Sequence, residues 1–545
     1  MKLVRASEGG VRARLILDSE TAFCFLSDMN GNLIGFFGVA LLGLGVSVGG
    51  CGGDEGTPGG TTATGTSAAG TGGGTTTGTG GDGTTATTGA TGTGGGTTGT
   101  GGSPAFDFPA PLVAGTPETD LLANDPARCG QPAYTWLKSA NLGNITAHTK
   151  QGTYSKALLE ALLTAADITV PIKLQYDVDA HLITYTTQDR GKEIEATALL
   201  AWPSNVPAGA AALPTLTVLH GTSGFMDGCG ATADTSIGAL ASAIASTGYV
   251  VIVPDYIGLK ATQPATGFLH PYFVGQATAI ASLDAVRILG HLPAEIRTGG
   301  ARPSPRLAVI GGSQGGHAAL WVDRLAPYYA RELELVAVAA TVPPADLVTE
   351  GRLALTTLRE STANMVAFFG ASAGWYGADT MLNKVFVSPY DTSVPAALGA
   401  SCNPGDLLAS ITSLDKVFQP ALLTAASTGA LDTIQPWGCM AVDNGLTTTP
   451  VKRIQKDPTS YGVLFVTGGK DKLVDTPTER VSYNTLCKAG MPLHYLECKG
   501  ASHTDTTVWA LPEILEFVQA RLAGEVFTSS CDVTPAVTCK GTPAP

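Results

Sequence analysis

Ser313, Asp471 and His503 have the residue types that activated-serine chemistry needs. A serine hydroxyl is a poor nucleophile until a base takes its proton. An imidazole base in turn needs a carboxylate to fix its tautomer and stabilise its cation. Ser313 lies in Gly311-Gly312-Ser313-Gln314-Gly315, after the apolar strand-like run Arg306-Leu307-Ala308-Val309-Ile310 and before the helix-like run His317-Ala318-Ala319-Leu320-Trp321-Val322. A G-x-S-x-G between strand and helix makes a sharp turn that strains the serine backbone and lifts its hydroxyl above a sheet. Glycines flank the serine because a Cβ there would collide with the adjoining strand and helix. In a chain with 69 glycines the bare pentapeptide is weak, but many of those glycines lie in one distant segment and the strand–turn–helix setting is rarer.

The acid follows the serine and the histidine follows the acid in this arrangement. Asp471 stands in the loop after an apolar strand, in Val466-Thr467-Gly468-Gly469-Lys470-Asp471; Asp475, four residues on, is its rival and lies farther from the strand end. Of the eight histidines only His494 and His503 come after the acid. His494 falls inside a strand and reads as a packed core residue, whereas His503 sits in the loop Gly500-Ala501-Ser502-His503-Thr504-Asp505. The oxyanion of an acyl intermediate needs backbone N–H donors. One is expected from Gln314, directly after the nucleophile, and the other from the Thr222 amide in the loop His220-Gly221-Thr222-Ser223-Gly224. His220 is expected to shape that loop and His317 to pack on the elbow helix.

These residues need a frame of strands and helices. Leu174–Val178 and Leu182–Thr186 read as an antiparallel start, followed by strands at Ala196–Trp202, Thr215–Leu219, Tyr249–Val253, Leu335–Ala339, Val463–Val466 and Leu493–Leu496. Helices are expected over Ile237–Ser246, from about Gly275 to Leu292 and over Leu511–Leu522; in the second, Ile280, Leu283, Val286 and Leu289 recur at helical spacing. Short apolar strands separated by helices make an α/β fold, a mostly parallel sheet covered on both faces. Between 343 and 456 the rhythm stops, with possible helices at Ala354–Phe369 and Leu407–Phe418; a long insertion between two sheet strands reads as a helical cap over the site.

Outside this frame the chain changes character. Residues 52–103 are almost all Gly, Thr, Ala and Ser, too poor in apolar surface to offset chain entropy, and read as a flexible tether. Upstream, basic Lys2, Arg5, Arg12 and Arg14 precede the apolar stretch Leu33–Val48, which is short for a membrane span and ends in Val48-Gly49-Gly50-Cys51. That ending resembles a bacterial lipoprotein signal, with Cys51 as the lipidated residue and Met29 as an alternative start; a plain secretory signal or an uncleaved anchor is the other reading. Besides Cys24 and Cys51, the cysteines are Cys129, Cys229, Cys402, Cys439, Cys487, Cys498, Cys531 and Cys539, an even set that fits disulfides in an oxidising compartment. Short loops cost least entropy to close, which favours Cys487–Cys498, Cys531–Cys539 and Cys402–Cys439 and leaves Cys129–Cys229. A net charge of −13 argues against nucleic-acid binding, and no C-x-x-C pair suggests zinc.

The elbow, the His220-Gly221-Thr222 loop, Pro254-Asp255-Tyr256-Ile257-Gly258, and the Gly468–Asp471 and His503 loops together resemble the α/β-hydrolase superfamily, and within it the secretory lipase family. The resemblance spans roughly 170–525 and implies lipase or esterase activity on a small-molecule or lipid ester, with no metal or organic cofactor. The expected organisation is a signal segment 1–51, a linker 52–103, a catalytic domain 104–342 and 457–525, a cap 343–456 and a tail 526–545. Membrane contact would come through a lipid on Cys51. A peptidase of the same fold and a non-catalytic surface-binding protein on this scaffold are the alternatives; the first lacks any propeller-type repeat ahead of the domain, and the full Ser, Asp and His set speaks against the second.

Overall fold

The computed structural model describes residues 108–115, 129, 135–166, 168, 170–405, 410–457 and 459–543. The signal segment 1–51 with Cys51, and the linker 52–103, lie outside the described residues. A nine-stranded sheet in the order β1-β2-β3-β5-β4-β6-β7-β8-β9 organises the rest. Its strands are β1 (Ile145–Tyr154), β2 (Val178–Asp189), β3 (Lys192–Pro203), β4 (Leu213–Leu219), β5 (Val250–Pro254), β6 (Pro303–Gly312), β7 (Glu334–Thr341), β8 (Gly462–Gly468) and β9 (Leu493–Cys498). The first three pair antiparallel and β3 meets β5 antiparallel; from β5 to β9 every pairing is parallel. This is the mostly parallel α/β sheet that the sequence predicts.

Alternation along the strands builds two cores. Val250 and Ile252 face one side of the sheet with Leu307 and Val309, while Val251 and Val253 face the other with Ala308 and Ile310. Helices cover both faces: α1 (Lys156–Ala165), α2 (Thr235–Ser246), α3 (Gly275–Arg287) and α4 (Gln314–Tyr329) come before the cap. Asp234 starts α2 by accepting from the Ser236 amide, a side-chain N-cap. All residues of α3 are buried, so its two charged side chains need internal partners. Arg287 bonds Asp284 and Glu332, each at 2.6 Å, which satisfies them.

The antiparallel start differs from the expectation. Leu174–Asp177 is not strand; β2 begins at Val178, and the Gln175 and Tyr176 amides bond the Ser246 carbonyl instead. The partner that the sequence reading lacked is β1, an edge strand whose residues are mostly exposed. With few apolar positions it has no period-2 pattern to betray it.

Among the described residues of 343–456 lie α5 (Leu347–Thr356), α6 (Ser361–Ser372), α7 (Tyr390–Leu398), α8 (Pro420–Thr428) and α9 (Trp437–Asn444). They pack around Phe368, Phe369, Phe386, Phe418 and Trp437 in a core that they share with Ile257, Tyr272 and Phe273 from earlier in the chain. The single helix expected over Ala354–Phe369 is two, because Thr357 leaves the helix in extended backbone. The described part of 407–418 has no α-helix, only a short 3-10 turn at Leu414–Lys416. Three closing helices, α10 (Thr476–Lys488), α11 (His503–Trp509) and α12 (Leu511–Leu522), return to the sheet.

All eight cysteines outside the N-terminal region form disulfides, but every expected pairing is corrected. The pairs are Cys129–Cys439, Cys229–Cys402, Cys487–Cys531 and Cys498–Cys539. Loop-closure entropy rises only slowly with length, so native contacts rather than short separations decide the partners. The first two tie the cap to segments that precede it in the chain. The last two pin the tail along β9, where the Val537 amide bonds Glu497 O and the Lys499 amide bonds Val537 O.

Candidate active site

At the end of β6 the chain turns at Ser313 with φ 56° and ψ −119°, a conformation that costs a non-glycine residue energy and that surrounding structure must hold. The Ser313 amide bonds Thr341 O at 2.9 Å, and its carbonyl accepts from the His317 amide at 3.0 Å. A Cβ on Gly311 would collide with the Gly315 carbonyl, and one on Gly315 with the Leu219 carbonyl at the end of β4. The turn is therefore wedged between its own helix and the neighbouring strand, and the two flanking glycines allow that approach.

Ser313, His503 and Asp471 meet at the carboxyl end of the parallel strands. His503 Nε2 lies 2.9 Å from Ser313 Oγ, and His503 Nδ1 lies 2.7 Å from Asp471 Oδ2. The other carboxylate oxygen of Asp471 accepts from the Leu473 amide at 2.9 Å and the Val474 amide at 3.0 Å. Asp471 Oδ1 is thus taken up by two amide donors and the carboxylate Oδ2 accepts from the ring, so Nδ1 is the donor and Nε2 the acceptor facing the serine. Two loops hold this line together. The Gly469 amide bonds Cys498 O at 2.9 Å and the Lys470 amide bonds Ala501 O at 2.8 Å, which joins the loop after β8 to the loop after β9. His503 opens α11 behind a capping box in which Ser502 and Asp505 bond each other's backbone.

Asp475 does not reach the histidine. It caps α10 by accepting from the Thr478 amide at 3.1 Å. His494 lies in β9, but its side chain is exposed rather than packed in the core: β9 is the last strand of the sheet, and His494 shares a strand face with Leu496, itself only partly buried.

The loop after β4 lies beside the elbow. His220 Nδ1 bonds Gly221 O at 2.7 Å, Tyr256 donates to His220 O at 2.8 Å, and the two rings stack. Thr222 Oγ1 is 2.7 Å from the Tyr272 hydroxyl. Behind the nucleophile, His270 Nδ1 donates to Ile257 O at 2.8 Å, so its Nε2 accepts from the Gln314 side-chain amide at 2.6 Å. Burial lowers the pKa of His220 to about 4 and that of His270 to about 3, which keeps both rings neutral and fixed. The backbone N–H of Gln314, at the start of α4, belongs to the first turn, whose donors have no partner inside the helix. His317 reaches further than expected: its Nε2 donates to Asn444 O at 2.7 Å and so ties the elbow helix to the cap.

Facing Ser313 is a cavity of about 50 Å³. Phe273, Leu347, Met365 and Phe368 line it with Leu473 and Val474. Three polar side chains of α5 and α6, Glu350, Ser361 and Asn364, also line it, and sequence reading passed over all three. One signal was available for Glu350. It shares the buried face of α5 with Leu347, Gly351 and Ala354, where helical spacing demands an apolar residue. Burial first, and then the nearby charges of Asp475 and Asp471, push its carboxyl well above the usual range.

Among the described residues no group of three or more His, Cys, Asp or Glu is placed to hold a metal ion, and no helix is long and apolar enough to cross a membrane. The family model for secretory lipases matches residues 231–355. Lipase 7 of Candida albicans is 36% identical over 104 residues, 19% of this chain and 21% of that protein, so the match spans about a fifth of the relative's length. The rice cell wall degrading esterase LipA from Xanthomonas oryzae superposes with a TM-score of 0.56 at 20% identity, covering 70% of this chain and 98% of that one. Candida antarctica lipase A in its closed state superposes with a TM-score of 0.52 at 15% identity, covering 76% and 88%. The chain has the α/β-hydrolase fold and, over residues 231–355, matches the secretory lipase family.

Proposed function

We propose that this protein is a serine carboxylester hydrolase of the lipase or esterase type. The observation that carries the reading is the continuous line Asp471–His503–Ser313, with bonds of 2.7 and 2.9 Å, at the mouth of an apolar cavity. Ser313 Oγ attacks the acyl carbonyl as His503 Nε2 takes its proton. The tetrahedral oxyanion is held by the amides of Gln314 and Thr222; one such donor is worth about 10²–10³ in rate. The ester C–O bond then breaks and His503 returns the proton to the leaving alkoxide. Water repeats the sequence and frees the carboxylic acid from Ser313. Throughout, Asp471 holds the Nδ1 proton and stabilises the transient imidazolium.

The working location in this reading is outside the cytoplasm. Four disulfides support it, because cytoplasmic thiols are kept reduced. The domain 104–342 and 457–525 carries catalysis, 343–456 caps it, and a lipid on Cys51 holds it to a membrane through the 52–103 linker. Hydrolysis of 4-nitrophenyl esters of graded chain length is the test. The purified protein cleaves them and Ser313→Ala loses at least about 10³-fold in kcat; full activity in Ser313→Ala would refute the assignment.

A further inference from the structure

The cavity beside Ser313 is apolar on most of its wall, yet one side carries polar atoms with nothing to bond. Ser361 is only 9% exposed and its Oγ has no partner; the Asn364 Oδ1 has none either. Asn364 is held in place by its Nδ2, which donates to the Tyr272 hydroxyl at 2.9 Å, so its free oxygen is fixed rather than floppy. Glu350, 6% exposed, accepts from the Asp475 amide at 2.8 Å through Oε1. A pocket for a plain alkyl chain gains nothing from such groups: each buried, unsatisfied polar atom costs about 1–3 kcal/mol. Their cost is recovered when a bound molecule supplies the missing partners.

We propose that this cavity is a subsite for a hydroxyl-bearing part of the ester, bonded by Glu350, Ser361 and Asn364 next to the nucleophile. The proposal rests on the ester-hydrolase reading above. The chemistry of the wall selects a hydroxyl. An anionic group would meet Glu350 with Asp471 and Asp475 behind it. An ammonium donates only and would leave the Ser361 hydroxyl proton unused, and Arg359, 3.9 Å from Asp475, already supplies a cation to this acidic cluster. A hydroxyl both donates and accepts: it gives its proton to the Asn364 Oδ1 or to Glu350 and takes one from Ser361. Burial that favours the neutral form of Glu350 adds a second donor.

The hydroxyl can belong to the acyl or to the alcohol part, and matched pairs distinguish them. One pair is 4-nitrophenyl 3-hydroxybutyrate against 4-nitrophenyl butyrate; the other is 2-hydroxyethyl butyrate against propyl butyrate. In one pair the hydroxylated ester has a kcat/KM about tenfold higher, the size of one or two net hydrogen bonds. That ratio falls to about one in Ser361→Ala and in Glu350→Gln, the second variant guarding against misfolding of the first, with thermal unfolding checked for both. A ratio of one or less in both pairs for the unmodified protein overturns the subsite, as does a preference that survives both substitutions. If the plain esters are not cleaved at all, the hydrolase reading fails and the subsite falls with it; if they are cleaved without preference, only the subsite fails.

Discussion

On the sheet side of the cavity, Ser313, Asp471 and His503 stand on loops at the carboxyl ends of β6, β8 and β9, and every loop is tied to backbone. On the cap side, Glu350, Ser361 and Asn364 project from α5 and α6, and two of their polar atoms are unpartnered. The first wall is over-determined: a strained serine, a carboxylate with both oxygens bonded and a capped histidine leave little freedom. The second is lined by aromatic and aliphatic side chains whose size sets the shape of the cavity. In the proposed reading reaction chemistry belongs to the first wall and choice of substrate to the second.

The cap is nonetheless not loosely attached. Besides its two disulfides, Asn444 links it to the elbow side, accepting from the Gly275 amide through Oδ1 at 2.9 Å and from Trp321 Nε1 through its carbonyl at 2.9 Å. Where the chain returns to the sheet, Arg453 bonds Asp323 with a shorter contact of 2.7 Å. Burial alone would raise the Asp323 carboxyl, but Arg453 and Lys456 beside it hold it at about 2. These contacts hold both the end of the 343–456 segment and the return to the sheet against the helices beside the elbow.

The division is open to attack from either wall. The largest effect is expected from Asp471→Asn, which leaves the packing intact but turns the His503 tautomer the wrong way. A fall of about 10⁴-fold in kcat on 4-nitrophenyl butyrate, with an unchanged unfolding temperature, is the predicted result. A loss under about tenfold would mean that the sheet wall is less decisive than its geometry implies. Phe368→Ala should act through the other wall. Phe368 is 2% exposed and lines the cavity, so its truncation costs about 3–5 kcal/mol of stability and enlarges the acyl space. Relative kcat/KM should then shift by a few-fold toward longer acyl chains; a uniform loss across all chain lengths would blur the distinction between the walls.

The same contrast explains what the sequence reveals. The elbow, the acid loop and the histidine loop are local patterns at the ends of apolar strands, and short-range rules place them. The sequence prefers Asp471 to Asp475 only by its nearness to the strand end; in the structure His503 bonds the first and the second caps α10. The cap wall offers no such pattern. Its helices break at Thr357, inside the Ala354–Phe369 stretch that reads as one helix, and Glu350 shows only as a charge on a buried face. Disulfide partners are hidden for a related reason. Cys129 and Cys439 are 310 residues apart in the chain, and only the assembled cap and domain bring them together.

The most direct measurement is reaction of the purified protein with a fluorophosphonate, followed by mass analysis of its peptides. An activated serine forms one covalent adduct per chain, on Ser313, that is absent in Ser313→Ala and slowed at least about 10³-fold in His503→Ala. No adduct, or an adduct on another serine with Ser313 unmodified, would contradict the account.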